Sequence, residues 1–332
     1  MNQIEVAASP EAVWSALVET GAHRPWYYDL RPEGDFAPGG TLRWLQRDGK
    51  EAETSTVREA APPQRLVLES RFVFAPVFAS QPPHLVTYEI EGTQSGSRVR
   101  MDVDAPPGPV RNLFEGEGGA TLQGLRLVLD PTAQAELKRL DEIGAVEIRD
   151  LTPERLGDYQ DFFDNRAFRD YPAWQFCYCM HTHYDGDIET EAGRTAVDNR
   201  RDMSRMIGEG EVTALLAYAD GTPVAWCNYG PTTRLGGVMR QFKLDPAEQE
   251  GVGSIACFVV SAPYRGHGLA RRLLDTACER LAERGLQWVE AYPPKEAGSP
   301  QHSYRGPLRM YLDAGFEPVR EGARHTVVRK RL

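Results

Sequence analysis

The chain has 332 residues, 41% hydrophobic and 26% charged, which is ordinary globular composition and length enough for two domains. The formal net charge is −10 and no lysine or arginine run offsets it, which argues against nucleic acid as a partner. No apolar run approaches the ~20 residues needed to span a membrane, and Met1-Asn2-Gln3-Ile4-Glu5-Val6 lacks the basic and apolar stretches of a secretory leader. Cys177, Cys179, Cys227, Cys257 and Cys278 are odd in number and confined to the second half, as expected of free thiols in a cytoplasmic protein.

In chain order, Ile4 to Ala7 reads as a strand. Ser9-Pro10-Glu11 opens a helix, with serine as N-cap, proline in the first turn, and Trp14, Leu17 and Val18 as the apolar stripe. After the Pro38-Gly39-Gly40 turn, strands are expected over Thr41 to Gln46, Glu53 to Glu59, Arg65 to Phe74 and His84 to Glu91. Ser97 to Asp104 alternates, with Val99, Met101 and Val103 on one face and Arg98, Arg100 and Asp102 on the other. A long helix is expected from about Val110 to Leu129, prolonged by Ala135 to Leu140 until Gly144 breaks it. No helix interrupts the central hairpins, so the sheet should be antiparallel.

Four segments in this order, Ser9-Pro10-Glu11-Ala12-Val13-Trp14, Phe36-Ala37-Pro38-Gly39-Gly40, Pro62-Pro63-Gln64-Arg65-Leu66-Val67-Leu68 and Leu122-Gln123-Gly124-Leu125, resemble the START-like SRPBCC superfamily in its heat-shock-ATPase-activator-like branch. The resemblance covers most of residues 1–133. It implies a helix-grip domain over residues 1–140, a curved antiparallel sheet around a long C-terminal helix, whose cavity takes an apolar small molecule. The sequence shows no catalytic constellation there; Trp26, Tyr27 and Tyr28 read as core or as cavity lining.

The second half reads as a mixed-sheet α/β domain over residues 145–332. Val146 to Asp150 is a strand, Thr152-Pro153-Glu154 starts a helix, and another helix is expected over Ala192 to Ile207. Val212 to Tyr218 and Val224 to Tyr229 flank Asp220-Gly221, a hairpin signal. Ser254 to Val260 suits a buried strand, Gly266 to Arg284 a helix stopped by Gly285, and Gln287 to Tyr292 the next strand. A helix over Pro307 to Ala314 and a strand over Thr326 to Lys330 close the domain.

The chemistry centres on Cys257-Phe258-Val259-Val260, then Ser261 to Tyr264, then Arg265-Gly266-His267-Gly268-Leu269-Ala270-Arg271. A strand enters, a glycine loop turns and a helix leaves. Helix N–H groups there favour an anion, the glycines clear an approach to the backbone, and Arg265 and Arg271 add charge. Taken alone, a Gly-x-Gly turn merely reverses the chain. Yet Arg265-x-x-Gly268-x-Ala270 after an apolar strand, followed by Leu308-Arg309-Met310-Tyr311-Leu312-Asp313-Ala314-Gly315-Phe316, resembles the GNAT N-acetyltransferase superfamily across residues 146–332. Ala167-Phe168, Cys177 to Met180, Val224 to Asn228, Val252 to Phe258 and Glu290 to Pro293 resemble a narrower branch of it, of unknown substrate.

That resemblance implies acetyl-CoA as co-substrate and a small-molecule amine or peptide as acceptor. Cys257 to Val260 would pair with the pantetheine arm, and Arg265 to Arg271 would hold the pyrophosphate. Tyr311 would protonate the departing thiolate, a role its ordinary pKa near 10 suits; otherwise it is a packed tyrosine. Glu290 is the first choice of base, against a salt-bridged glutamate. Cys177-Tyr178-Cys179-Met180-His181-Thr182-His183, if extended, puts two thiols and two imidazoles on one face. Four ligands on a straight strand close no tetrahedron, so no metal is expected and core thiols are favoured. The rival to an enzyme is a sensor or carrier whose second domain binds CoA as a scaffold.

Overall fold

The computed structural model describes residues 2–187, 190–191, 193–296 and 303–332, with the backbone alone for 115–118. The chain forms two compact units. One holds residues 1–137 with 170–176 and 187–197; the other holds 138–169, 177–186 and 198–332. The division falls at 137/138, slightly before the expected boundary, and leaves Lys138 to Leu140 with the second unit.

The first unit is a seven-stranded sheet ordered β1-β7-β6-β5-β4-β3-β2, antiparallel throughout. Its strands are β1 (Asn2–Val6), β2 (Arg31–Gly34), β3 (Thr41–Leu45), β4 (Glu51–Ala61), β5 (Arg65–Phe72), β6 (His84–Thr93) and β7 (Gly96–Asp104). Helix α1 (Pro10–Val18) begins where Ser9 Oγ accepts from Ala12 N. Leu17 is buried and Trp14 and Val18 are partly buried against the same core, as the expected stripe requires, and Val13 joins them. A short α2 (Pro76–Ala79) follows β5. The long helix α3 (Pro109–Leu129) packs against β1 and β7. It does not run on: Asp130 leaves helical geometry and its carboxylate caps a separate α4 (Pro131–Glu136), accepting from Thr132 N at 2.9 Å and Ala133 N at 3.2 Å. Proline at 131 cannot continue the ladder, which is why one expected helix is two.

The second unit is a mixed seven-stranded sheet ordered β13-β14-β12-β11-β10-β9-β8. In chain order come β8 (Val146–Asp150), α5 (Leu156–Asn165), α6 (Ala196–Gly208), β9 (Ala214–Ala219) and β10 (Thr222–Pro231). Of the helix expected over Ala192 to Ile207, Ala192 lies outside the described residues. Then come α7 (Gly236–Phe242), β11 (Val252–Val260), α8 (Leu269–Glu283), β12 (Trp288–Ala291), α9 (Leu308–Leu312), β13 (Glu317–Glu321) and β14 (Thr326–Arg331). The β9–β10 turn carries positive φ at both Asp220 (48°) and Gly221 (78°), the tight hairpin the sequence predicts. Among the described strands only β11 and β12 are parallel, as their crossover through α8 requires. Helix α8 buries Leu269, Leu273, Leu274, Ala277, Cys278 and Leu281 against β9, β10 and β11. No helix among the described residues is long and apolar enough to cross a membrane.

Candidate functional site

Strand β11 is buried except at its end, Val260. It leads through a short turn, Ala262–Tyr264, into Gly266 and Gly268, whose φ values are 79° and 75°. These left-handed residues delay the helix: α8 begins at Leu269, not at Gly266 as expected. No side chain caps its first turn, so its leading N–H groups depend on an outside acceptor. A Cβ on Gly268 would meet no atom within 4 Å, so the space over this backbone is open. That combination fits a pyrophosphate.

The loop's cations are arranged differently from the expectation. Arg265 Nε donates to Val260 O at 2.9 Å, and Arg271 is paired with Asp275 one turn on, at 2.9 Å. A residue the sequence did not mark, Arg139, lies beside the loop: its Nε donates to Arg265 O at 3.1 Å. Leu140 N donates to Pro263 O at 2.9 Å, and His267 Nε2 is 3.0 Å from Leu140 O. Leu269 is buried and Ala270 partly so.

The sheet opens beside this loop. β11 pairs with β12 only from Val252↔Trp288 to Ile255↔Ala291. Beyond that it pairs on its other side alone, with β10. On the open side Phe258 N donates to Tyr304 O, and Arg305 Nη1 donates to Ala256 O at 3.2 Å. Tyr311, on α9, is fully buried, edge-on to Phe316, and its hydroxyl donates to Arg305 O at 2.6 Å. Burial raises its phenol well above the ordinary value.

Glu290 is 3% exposed on β12, directly opposite Arg329 of β14. Arg329 donates to its Oε1 at 2.6 and 2.9 Å, and the Tyr292 hydroxyl donates to its Oε2 at 3.2 Å. Tyr292 also meets Ser254 Oγ at 3.0 Å, and Ser254 meets Thr232 Oγ1 at 2.8 Å. Tyr311 and Glu290 therefore belong to separate hydrogen-bonded groups.

The Cys177 to His183 run is not extended. Tyr178 and Cys179 have φ of 43° and 59°, between two short 3-10 turns, so the condition for a common face, an extended run, is not met. Cys179 turns inward, where its sulfur accepts from Trp226 Nε1 at 3.3 Å and Asn228 Nδ2 at 3.5 Å. Burial alone would raise that thiol, but donation from Cys257, Asn228 and Trp226 lowers it, and the same contact raises Cys257. His183 Nε2 lies 2.7 Å from Asn228 Nδ2, and burial lowers its pKa to about 4. His181 instead lies 3.2 Å from Gln241. Gly237 of α7 permits this fold-back: a Cβ there would sit 1.8 Å from His181 O.

Among the described residues, one cavity of the first unit is small and partly polar. Its free volume is about 10 Å³, the scale of one water. Leu17, Arg24, Trp26, Glu53, Ser70 and Tyr88 contribute to the lining. Arg24 is 4% exposed, with its guanidinium 4.9 Å from the Trp44 ring centre and 5.1 Å from that of Trp26, and its Nε has no partner. Glu53 accepts from the Tyr27 hydroxyl at 2.6 Å, and burial pushes its carboxyl up to about 7. Trp26 and Tyr27 both line this space and belong to the core.

Residues 7–130 match the family model described as activator of Hsp90 ATPase homolog 1-like protein, and residues 171–297 match that of the acetyltransferase (GNAT) family. Among solved structures, PaiA N-acetyltransferase from Thermoplasma acidophilum, in complex with coenzyme A, is 14% identical, covering 57% of this chain and 99% of its own at a TM-score of 0.36. A GNAT-family acetyltransferase from Streptococcus pneumoniae is 14% identical over 57% of this chain and 100% of its own, TM-score 0.34. The Aha1 dimer from Colwellia psychrerythraea is 15% identical over 39% and 94%, TM-score 0.32. No curated protein matches. The chain thus resembles the Hsp90-ATPase-activator family over its first region and the GNAT acetyltransferase family over its second.

Proposed function

We propose that the second region is an N-acetyltransferase that carries the acetyl group of acetyl-CoA to an amine, and that the first region binds an apolar small molecule. The observation that carries the reading is the open edge of β11 running into two left-handed glycines and an uncapped helix start. A pantetheine arm has amide groups to offer such an edge, and a pyrophosphate has the charge to offer such a helix. On this reading Cys257 to Val260 hold the arm and Arg265 to Arg271 the pyrophosphate.

Bound acetyl-CoA supplies an activated acyl thioester. Tyr311 Oη is proposed to give its proton to the departing sulfur, and Glu290 to receive the amine's proton by way of the Tyr292 hydroxyl beside it. For the first region, a cavity of about 10 Å³ admits an apolar guest only if its walls part. The cytoplasm is the proposed location, in keeping with five free cysteines.

A second reading, a CoA-binding scaffold without turnover, draws on one observation: Tyr311 and Glu290 already have partners in Arg305 O and Arg329. Thiol release from acetyl-CoA against a panel of amines separates the two. Release that depends on an amine is the expected result; CoA binding without release from any amine selects the scaffold.

A further inference from the structure

We propose that Tyr304–Arg305 is a strap that competes with acyl-CoA for the open edge of β11 and holds the Tyr311 hydroxyl until it is displaced. This rests on the reading above and adds a control to that same site. An edge N–H serves one acceptor well, and Phe258 N already donates to Tyr304 O. Ala256 O, next on the same edge, accepts from the Arg305 guanidinium at 3.2 Å. A phenol has one proton to give, and that of Tyr311 points to Arg305 O at 2.6 Å. One dipeptide thus covers the strand the cofactor needs and the group the chemistry needs.

The strap's anchor is costly to bury. Arg305 is 1% exposed, lying among rings with centres 4.9 Å (Phe242), 5.1 Å (Tyr304) and 5.8 Å (Tyr292) from its guanidinium carbon. Its Nη2 donates to Gln241 Oε1, a neutral partner, and its Nε has none. Among the described residues no carboxylate forms an ion pair with it. A desolvated cation without a counter-ion is held against its hydration, so release of the strap regains that hydration and leaves the edge to a competitor. Gln241, exposed on α7, is the outer latch.

The test uses the full chain. CoA is titrated by calorimetry into the unaltered protein, Arg305→Ala and Gln241→Ala, and hydrogen exchange across 303–310 is followed with and without saturating CoA. A strap closed nine-tenths of the time masks affinity roughly tenfold, so both variants should bind CoA up to about tenfold more tightly. The strap's amides should exchange faster in the unaltered protein's complex. Gln241→Ala changes only an exposed side chain, so it still reports if Arg305→Ala fails to fold. CoA binding with unchanged or weaker affinity in the variants, and exchange that stays level or slows, overturns the strap and leaves the CoA site standing. Failure of all three proteins to bind CoA overturns the site and the strap together.

Discussion

The two sheets have the same number of strands and differ in how far their backbone is paired. In the first unit every neighbouring pair is antiparallel, and β6 and β7 match from Leu85↔Asp104 to Thr93↔Gly96. Two charged side chains of that unit, Arg24 and Glu53, are enclosed beside a water-sized cavity. In the second, the lone parallel pair stops after Ile255↔Ala291 and leaves the inner edge of β11 to other partners. Both units bury charge, the second at Glu290 and Arg305, but only the second also offers strand backbone where a parallel pair stops short. Backbone offered in this way suits an extended amide-bearing ligand, whereas an enclosed charge chiefly makes stability depend on pH.

The largest expected effect separates a chemical tyrosine from a packed one. Tyr311→Phe keeps the ring against Phe316 and removes the proton, so turnover should fall about 10²–10⁴-fold with CoA binding little changed. Equal rates would place Tyr311 with the core. Gly268→Val comes next: it fills the open space over the loop and strains a residue at φ 75°, at roughly 1–3 kcal/mol. Calorimetry should show CoA affinity down at least about tenfold, and unchanged affinity would count against the pyrophosphate site.

In the first unit the lever is Glu53. Its folded pKa, raised by burial to about 7, exceeds the ordinary 4.5. The folded state therefore keeps the proton more tightly, and the associated stability, full below about pH 4.5, is lost as pH rises through 7. The loss is of order 3 kcal/mol. Glu53→Gln should gain on the unaltered protein at pH 8 and not at pH 4 in denaturant melts; a difference independent of pH would break the argument. The smallest effect is expected at the Cys177 to His183 run. Chelation should leave the melting temperature unchanged, whereas one zinc per chain, lost in Cys179→Ser, would replace the core-thiol reading.

What could be read from the sequence was whatever local chemistry dictates. Ser9 caps, Asp220-Gly221 turns, and the glycine loop meets its helix because each depends on neighbours a few residues away. Two strands left no such trace. β13 (Glu317–Glu321) is exposed at every position, and β2 (Arg31–Gly34) buries only Pro32, so neither shows an alternating pattern. The backbone of the Cys177 to His183 run could not be read locally, because left-handed geometry at Tyr178 and Cys179 goes with distant partners, Trp226, Asn228 and the close approach of Gly237. At the site, Arg139 reads as part of a helix and Arg305 as an ordinary loop residue; distant contacts, with Arg265 O in one case and Ala256 O in the other, give them their positions.

The Glu290–Arg329 pair also bears on how the last hairpin finds its alignment. A slip of β14 by one residue would set Lys330 opposite Glu290, which charge accepts, but Arg329 against the fully buried Ala291, which burial forbids. A slip of two would bring Arg331 opposite Glu290, an exchange of one arginine for another that the charge pair itself would accept. It would also set Lys330 against Ala291 in place of Val328, and Ala291 and Val328 are both fully buried. The ion pair thus tolerates both slips, and the buried Ala291–Val328 position decides against them.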